Sequence, residues 1–327
     1  MSKNVNVLSL FNGMSCGMLA LERGGFNVLQ YYSAEIDKYA NKVTEDNYRG
    51  IVQLGDVTKW REWDIEWDSI DLILGGFPCQ AWSMAGKQLG DRDERGMLFW
   101  TMLDIMKHVR SLNPDADFLI ENVKMKKEFE EYITDNMTEV LSMFEATGNE
   151  PREYLDSIYE NASKTPLYKI LINSALVSAQ NRNRYYWTSF PVTQPEDKGI
   201  VLADIVESEG VGVIKNHGEW KDRFDKSMCI DANYHKGPDN HGQRTMIKSK
   251  SRTVRSGGHN SPPDSRHNWD NVLDSKTEYR KLTPVECERL QTVPDGYTAS
   301  VSNTQRYKML GNGWTVDVIT HILKHMR

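Results

Sequence analysis

A chain of 327 residues holds one large domain, or a large domain with a smaller companion, and 39% hydrophobic with 26% charged residues is ordinary globular composition. No apolar run approaches the ~20 residues that cross a bilayer, and Met1-Ser2-Lys3-Asn4 does not open a signal peptide, so a cytoplasmic protein without a membrane partner is expected. A net charge of −6 disfavours a protein that coats nucleic acid with its whole surface, while leaving room for a local basic patch. The four cysteines (Cys16, Cys79, Cys229, Cys287) form no Cys-x-x-Cys pair, so no metal site is expected and a reducing compartment fits.

Strand and helix patterns then alternate. Residues 5–11 carry the apolar run of a buried strand, and residues 14–23 follow as a helix stopped by Gly24-Gly25. A strand over 28–34 precedes a helical run over 38–47, and residues 52–57 and 71–74 read as two more strands. Helical periodicity spans 98–112, where Asn113-Pro114 ends it, and residues 118–120 form another short strand. This alternation predicts an α/β fold, a mostly parallel sheet with helices on both faces. Residues 128–163 are charged, with Phe129, Ile133, Val140, Leu141 and Phe144 at roughly helical spacing, and read as an amphipathic insertion. Residues 168–177 and 185–188 look like strands, joined by a hairpin across 180–184.

From residue 198 to 279 the chain is rich in Gly, His, Asn, Lys and Arg and poor in aliphatics. It reads as a small loop-rich domain, set between a large domain over 1–197 and a C-terminal segment, 280–327, that returns to it with helices over 284–290 and 315–324. Within the small domain Arg244, Lys248, Lys250, Arg252 and Arg255 fall in a stretch without an acid. That stretch is either a solvated loop or a phosphate-binding patch.

The most specific segment is Gly75-Gly76-Phe77-Pro78-Cys79-Gln80-Ala81-Trp82-Ser83. Two glycines end the preceding strand and a proline fixes the backbone just before the thiol, at the carboxyl edge where α/β sheets bind ligands. A free thiol is only roughly 3% ionised at pH 7, so Cys79 is either activated by neighbours or simply buried. Residues 8–17 pair a strand with a Gly-x-x-x-Gly turn, which lacks the Gly-x-Gly-x-x-Gly spacing of a dinucleotide site. Glu35, at a strand end, suits ribose hydroxyls, and Asp56 in Gly55-Asp56-Val57 suits an adenine amino group. Glu121, in Glu121-Asn122-Val123, emerges at the same edge as Cys79 if the sheet is parallel. A thiol and a carboxylic acid facing one pocket suit addition to a heteroaromatic ring; the alternative is an ordinary ion pair at Glu121.

In this order the segments resemble the cytosine-C5 DNA methyltransferase family, over 8–17, 35–36, 55–57, 75–83, 121–123, 178–186 and 280–319. Gln180-x-Arg182-x-Arg184 completes the specific motifs. Val177-Ser178-Ala179, Tyr185-Tyr186-Trp187 and Trp314 look closer to the de novo animal branch, whereas the size and the Gly311-Asn312-Gly313-Trp314 end look bacterial or phage-like. The resemblance implies a Rossmann-like S-adenosylmethionine-dependent sheet with a target-recognition domain over 198–279. It implies that Cys79 adds to C6 of a flipped cytosine, that Glu121 protonates N3, that Arg184 holds the cytosine carbonyl, and that Arg182 supports the adduct or a nearby backbone contact. Phe11, Asn12, Gly13, Glu35, Ile36, Asp56, Val57, Pro78, Asn312 and Trp314 would line the S-adenosylmethionine site. The expected partner is double-stranded DNA, contacted by Gln80, Ser83, Arg244, Lys248, Lys250, Arg252 and Arg255, with Asn233, Tyr234, His235, Asn240, His241 and Gln243 nearby to read bases. Gln80, Ser83 or the loops of the small domain would fill the gap left by the base, and Ala85 stands where some relatives carry a hydroxyl. No obligatory protein partner is implied; a companion restriction endonuclease is left open. Three alternatives stand beside this one. A relative acting on tRNA lacks its Cys-Phe-Thr signature here, a silent DNA-binding homologue is at odds with intact Cys79, Glu121, Arg182 and Arg184, and a related enzyme could transfer a different one-carbon group.

Overall fold

In the computed structural model, which describes residues 2–78, 97–142, 167–222, 225–249 and 279–326, the first strand sets the pattern. β1 (Asn4–Leu10) buries Val5, Val7, Leu8 and Leu10 completely. A central strand of a parallel sheet has helices on both faces, so polar alternation disappears. The chain continues through α1 (Cys16–Gly24), β2 (Asn27–Ala34), α2 (Lys38–Asn47), β3 (Val52–Gln53), β4 (Leu72–Gly75), α3 (Met97–Leu112), β5 (Asp117–Val123), α4 (Lys127–Ser142), β6 (Tyr168–Asn173) and β7 (Asn183–Thr188). The strands form one sheet in the order β3-β2-β1-β4-β5-β7-β6, with parallel pairing as far as β5 and antiparallel pairing of β7 to both its neighbours. The chain moves outward from β1 to β3, then starts again at β4 and moves outward the other way. The reversal between β1 and β4 opens a crevice at their carboxyl ends, the usual ligand position of such sheets.

Alternate strand residues feed two separate cores. Val7, Leu72, Leu74 and Leu119 pack with α1 on one face, while Leu8, Ile73, Phe118 and Ile120 pack with α3 and α4 on the other. Among the described residues no helix is long and apolar enough to cross a membrane.

Two expected elements end early, each for a local reason. The strand expected over 52–57 stops at Gln53: Gly55 takes φ +74°, and Asp56 caps a 3-10 turn (Val57–Glu62) by accepting from the Thr58 amide. The strand expected over 168–177 stops at Asn173, whose side chain caps the turn Ser174–Leu176. The helical insertion is α4, and residues 143–163 of that expectation lie outside the described residues.

The region expected to be loop-rich holds α5 (Leu202–Ile205) and a second sheet of β8 (Gly210–Asn216), β9 (Glu219–Asp222), β10 (His241–Ser249) and β11 (Tyr279–Lys281), antiparallel in the order β11-β10-β8-β9. Lys215, Arg244 and Lys248 interrupt its apolar pattern in sequence, yet Val213, Ile214, Met246 and Ile247 are buried. Trp220 on one edge strand stacks on Tyr279 of the other, ring centroids 3.8 Å apart, so the sheet curls until its edges touch.

The chain then returns to the large sheet through α6 (Pro284–Leu290), α7 (Asn303–Asn312) and α8 (Val316–Leu323). α6 starts at a capping box, Thr283 accepting from the Glu286 amide and Glu286 from the Thr283 amide. α8 packs against α1. Gly311, in the last turn of α7, lies against the backbone of Asp231 and Ala232: a Cβ there would stand 2.2 Å from the Asp231 carbonyl carbon and 2.4 Å from the Ala232 nitrogen. Main chain on both sides cannot give way locally. Gly311→Ala is therefore expected to cost about 3 kcal/mol, read as a lower thermal midpoint; an unchanged midpoint would contradict so tight a seam.

Candidate active site

The crevice is built from strand ends. β1 stops because Phe11, Gly13 and Ser15 take left-handed backbone angles (φ 57°, 58° and 62°), turning the chain sharply into α1. For the two residues with side chains this costs about 1 kcal/mol or more each. Asn12 holds the turn, its amide donating to the Ala34 carbonyl and its side chain bonding Ser15 Oγ (2.7 Å) and the Tyr31 hydroxyl (2.9 Å). Glu35 accepts from the amides of Gly13, Ile36 and Asp37, which leaves a carboxylate one further acceptor position. At the next strand end the Thr58 amide and hydroxyl hold the Asp56 carboxyl below the usual carboxylate range.

On the other side of the crevice Glu121 lies in β5, next to the start of the Gly-Gly loop. Its Oε1 pairs with Arg184 Nε at 2.9 Å and its Oε2 accepts from Trp314 Nε1 at 3.2 Å. A side chain at Gly76 would crowd both the Glu121 carboxylate and the Trp314 indole nitrogen, 3.3 Å away in each case, so the pair would have to shift by a few tenths of an ångström. Asn122 Nδ2 donates to the Phe77 carbonyl at 3.1 Å and ties the loop to β5 as it leaves β4. A cavity of about 620 Å³ joins the two sides. Phe11, Asn12, Gly13, Glu35, Ile36, Asp56, Val57, Pro78, Asn312 and Trp314 all line it, together with Glu121, Arg182 and Arg184.

Cys79, Gln80, Ser83, Lys250, Arg252 and Arg255 lie outside the described residues. Two further arginines are held internally. Arg182 is buried, with Nη1 donating to the Gly311 carbonyl at 3.2 Å and Nη2 to the Gly313 carbonyl at 2.8 Å; Nη1 also faces the Cys229 sulfur at 3.2 Å. Arg244 does not reach outward for phosphate: it forks onto Asp231, at 3.1 and 2.9 Å, and donates to the Gly237 carbonyl. Lys248 is half-buried on β10.

Sequence reasoning assigned nothing to Asn122, Gln291 or Gln305. Gln305 lines the cavity with a buried Oε1 that has no hydrogen-bond partner among the described residues. Buried Gln291 donates to the Leu310 and Gly313 carbonyls and accepts from Thr315, bracing the turn that presents Trp314. The sequence hints were the Glu121-Asn122-Val123 segment for Asn122 and a place in the C-terminal segment for Gln291 and Gln305.

Comparison with known proteins identifies the family. The chain is 29% identical over 329 residues to the type II methyltransferase M1.ScrFI of Lactococcus lactis subsp. cremoris, covering 99% of this chain and 77% of that protein. It is 29% identical over 333 residues to the type II methyltransferase M.HhaI of Haemophilus parahaemolyticus, covering 96% and 92%. The fold resembles that of the Entamoeba histolytica methyltransferase EhMeth, with a TM-score of 0.66 and 16% identity, covering 98% of this chain and 97% of that one. A model of the C-5 cytosine-specific DNA methylases matches residues 5–327. The chain belongs to that family and is a DNA cytosine-C5 methyltransferase.

Proposed function

We propose that the protein methylates C5 of an extruded cytosine in duplex DNA, with S-adenosylmethionine as donor, Cys79 as nucleophile and Glu121 as proton donor. The observation that carries this reading is the position of Glu121, beside the loop that leads into Cys79 and in one cavity with Glu35 and Asp56.

The lining suits the donor. Glu35 keeps an acceptor position for ribose, Asp56 is an ionised acceptor for an amino group, and Phe11 and Trp314 offer aromatic faces to a sulfonium. The orphaned Gln305 Oε1 is a further acceptor for a polar group. When bound, S-adenosylmethionine supplies the electrophilic methyl group that C5 takes.

The chain's own residues do the rest. The Cys79 thiolate forms a bond to C6, electrons move through the ring to N3, and N3 takes a proton from Glu121; C5 thereby gains enamine character. After methylation a base removes the C5 proton, the C5=C6 bond re-forms, the thiolate leaves and N3 returns its proton to Glu121. Arg184 holds Glu121 and the cytosine carbonyl, while Arg182, bound to the Gly311 and Gly313 carbonyls, positions the turn that carries Trp314. Extruding the base costs a few kcal/mol. The small domain over 198–279 sets the target sequence, with Lys248, Lys250, Arg252 and Arg255 as phosphate contacts and Arg244 as an internal brace. The type II relatives favour a companion restriction endonuclease.

Incubation with methyl-labelled S-adenosylmethionine and equal amounts of duplex DNA and tRNA tests this reading. Label is expected as 5-methylcytosine in duplex DNA, at one sequence context by base-resolution sequencing. Label confined to tRNA, or found in neither, overturns it.

A further inference from the structure

Cys229 differs from the other cysteines of the described residues. Cys16 and Cys287 are buried in the apolar core, and burial pushes the Cys16 thiol up to about 11. Cys229 instead has its sulfur 3.2 Å from Arg182 Nη1 and 3.9 Å from Arg184 Nη2. Burial raises this thiol too, but the charges of Arg182 and Arg184 outweigh burial and hold it below its ordinary value.

The segment that carries Cys229 is clamped to the large sheet. The Ser227 amide donates to the Ala179 carbonyl at 2.7 Å, and the Asn181 amide donates to the Ser227 carbonyl at 2.8 Å. The Ile230 amide donates to Gln180 Oε1 at 2.8 Å, and Gln180 is itself fully buried. Gly311 closes on Asp231 from the far side. Residues 227–231 lie between β9 and β10, so the small sheet meets the large one here.

Arg184 is held from both ends as a result. Its Nε faces the Glu121 carboxylate, its Nη1 donates to the Asn183 carbonyl at 2.9 Å, and its Nη2 faces the sulfur. A planar guanidinium fixed at two corners has little freedom to rotate about its stem. We propose that Cys229 is a positioning residue for the Arg184–Glu121 pair, through which the seam with the small sheet orients the proton donor. This inference rests on the catalytic reading of Glu121 and Arg184 given above.

The test compares full-length Cys229→Val, Cys229→Ser, Arg184→Ala and the Cys229→Val/Arg184→Ala double variant in single-turnover methyl transfer, with S-adenosylmethionine and duplex DNA binding measured alongside. Cys229→Val is expected to slow transfer about tenfold while both affinities change by less than about twofold. Cys229→Ser, which keeps an acceptor, recovers most of that loss, and Cys229→Val adds less than about twofold to Arg184→Ala. A wild-type rate in Cys229→Val, a serine variant as slow as the valine variant, or full additivity with Arg184→Ala overturns the inference. If Cys229→Val does not fold, as thermal melting and cofactor binding report, Cys229→Ala takes its place with the same expectations. A Glu121→Gln variant with the wild-type rate would instead remove the catalytic reading itself, whatever the Cys229 variants do.

Discussion

Cys79→Ala is expected to give no denaturation-resistant complex with duplex DNA that carries 5-fluorocytosine at the target position, and to cut methyl transfer by roughly 10⁴-fold or more. The wild type should form that complex because its last step requires removal of a proton from C5. Fluorine cannot leave as a cation, so the thiolate is not expelled and protein and DNA stay joined. Alanine keeps the loop's small size and removes only the sulfur. Binding of duplex DNA should therefore persist, because phosphate contacts supply most of the affinity. The measurement is a denaturing gel of labelled DNA next to a native binding assay. An adduct as abundant in Cys79→Ala as in the wild type would take the nucleophile's role away from this residue.

Glu121→Gln should slow single-turnover methyl transfer by roughly 10²–10⁴-fold, the usual worth of a positioned general acid, with DNA binding retained. The amide cannot give up a proton to N3, so negative charge stays in the ring when sulfur adds. The substitution has a second effect. Glu121 accepts from Arg184 on one oxygen and Trp314 on the other, whereas glutamine has only one oxygen and must turn its NH₂ toward one of these donors. The pair therefore loosens as well as losing its proton. Rates at saturating DNA, paired with equilibrium binding, separate chemistry from affinity. A wild-type rate would exclude Glu121 from proton transfer.

The α/β architecture was legible because its strongest signals are local. Residues 38–47 and 284–290 match α2 and α6 at both ends, and each starts at a side-chain cap, Asp37 and Thr283. The crevice was legible for a different reason. In a sheet wound outward from its middle, the ends of adjacent parallel strands must meet, so Phe11, Glu35, Asp56 and Pro78, far apart in sequence, line one cavity. α7 was not anticipated, because Asn303–Asn312 is polar and buries only Tyr307, Met309, Leu310 and Gly311 against the rest of the chain. The partners of long polar side chains were equally hidden. Nothing in Gln180-x-Arg182-x-Arg184 says that Arg182 will find a carbonyl 131 residues away, or that Arg244 will turn back onto Asp231 rather than outward. Such pairings are fixed by contacts between segments distant in the chain, and no local pattern encodes them.

The seam between the two sheets includes a run of main-chain contacts: the amides and carbonyls of Ala179, Asn181 and Ser227, and the bare glycine of α7 against Asp231. Backbone contacts are indifferent to what the neighbouring strands carry. Under the proposed assignment, the side chains of β8 to β10 that face DNA are free to be exchanged without redocking the small sheet. A lineage of such enzymes can then acquire new target sequences by surface variation alone, while Arg184 and Glu121 keep their places.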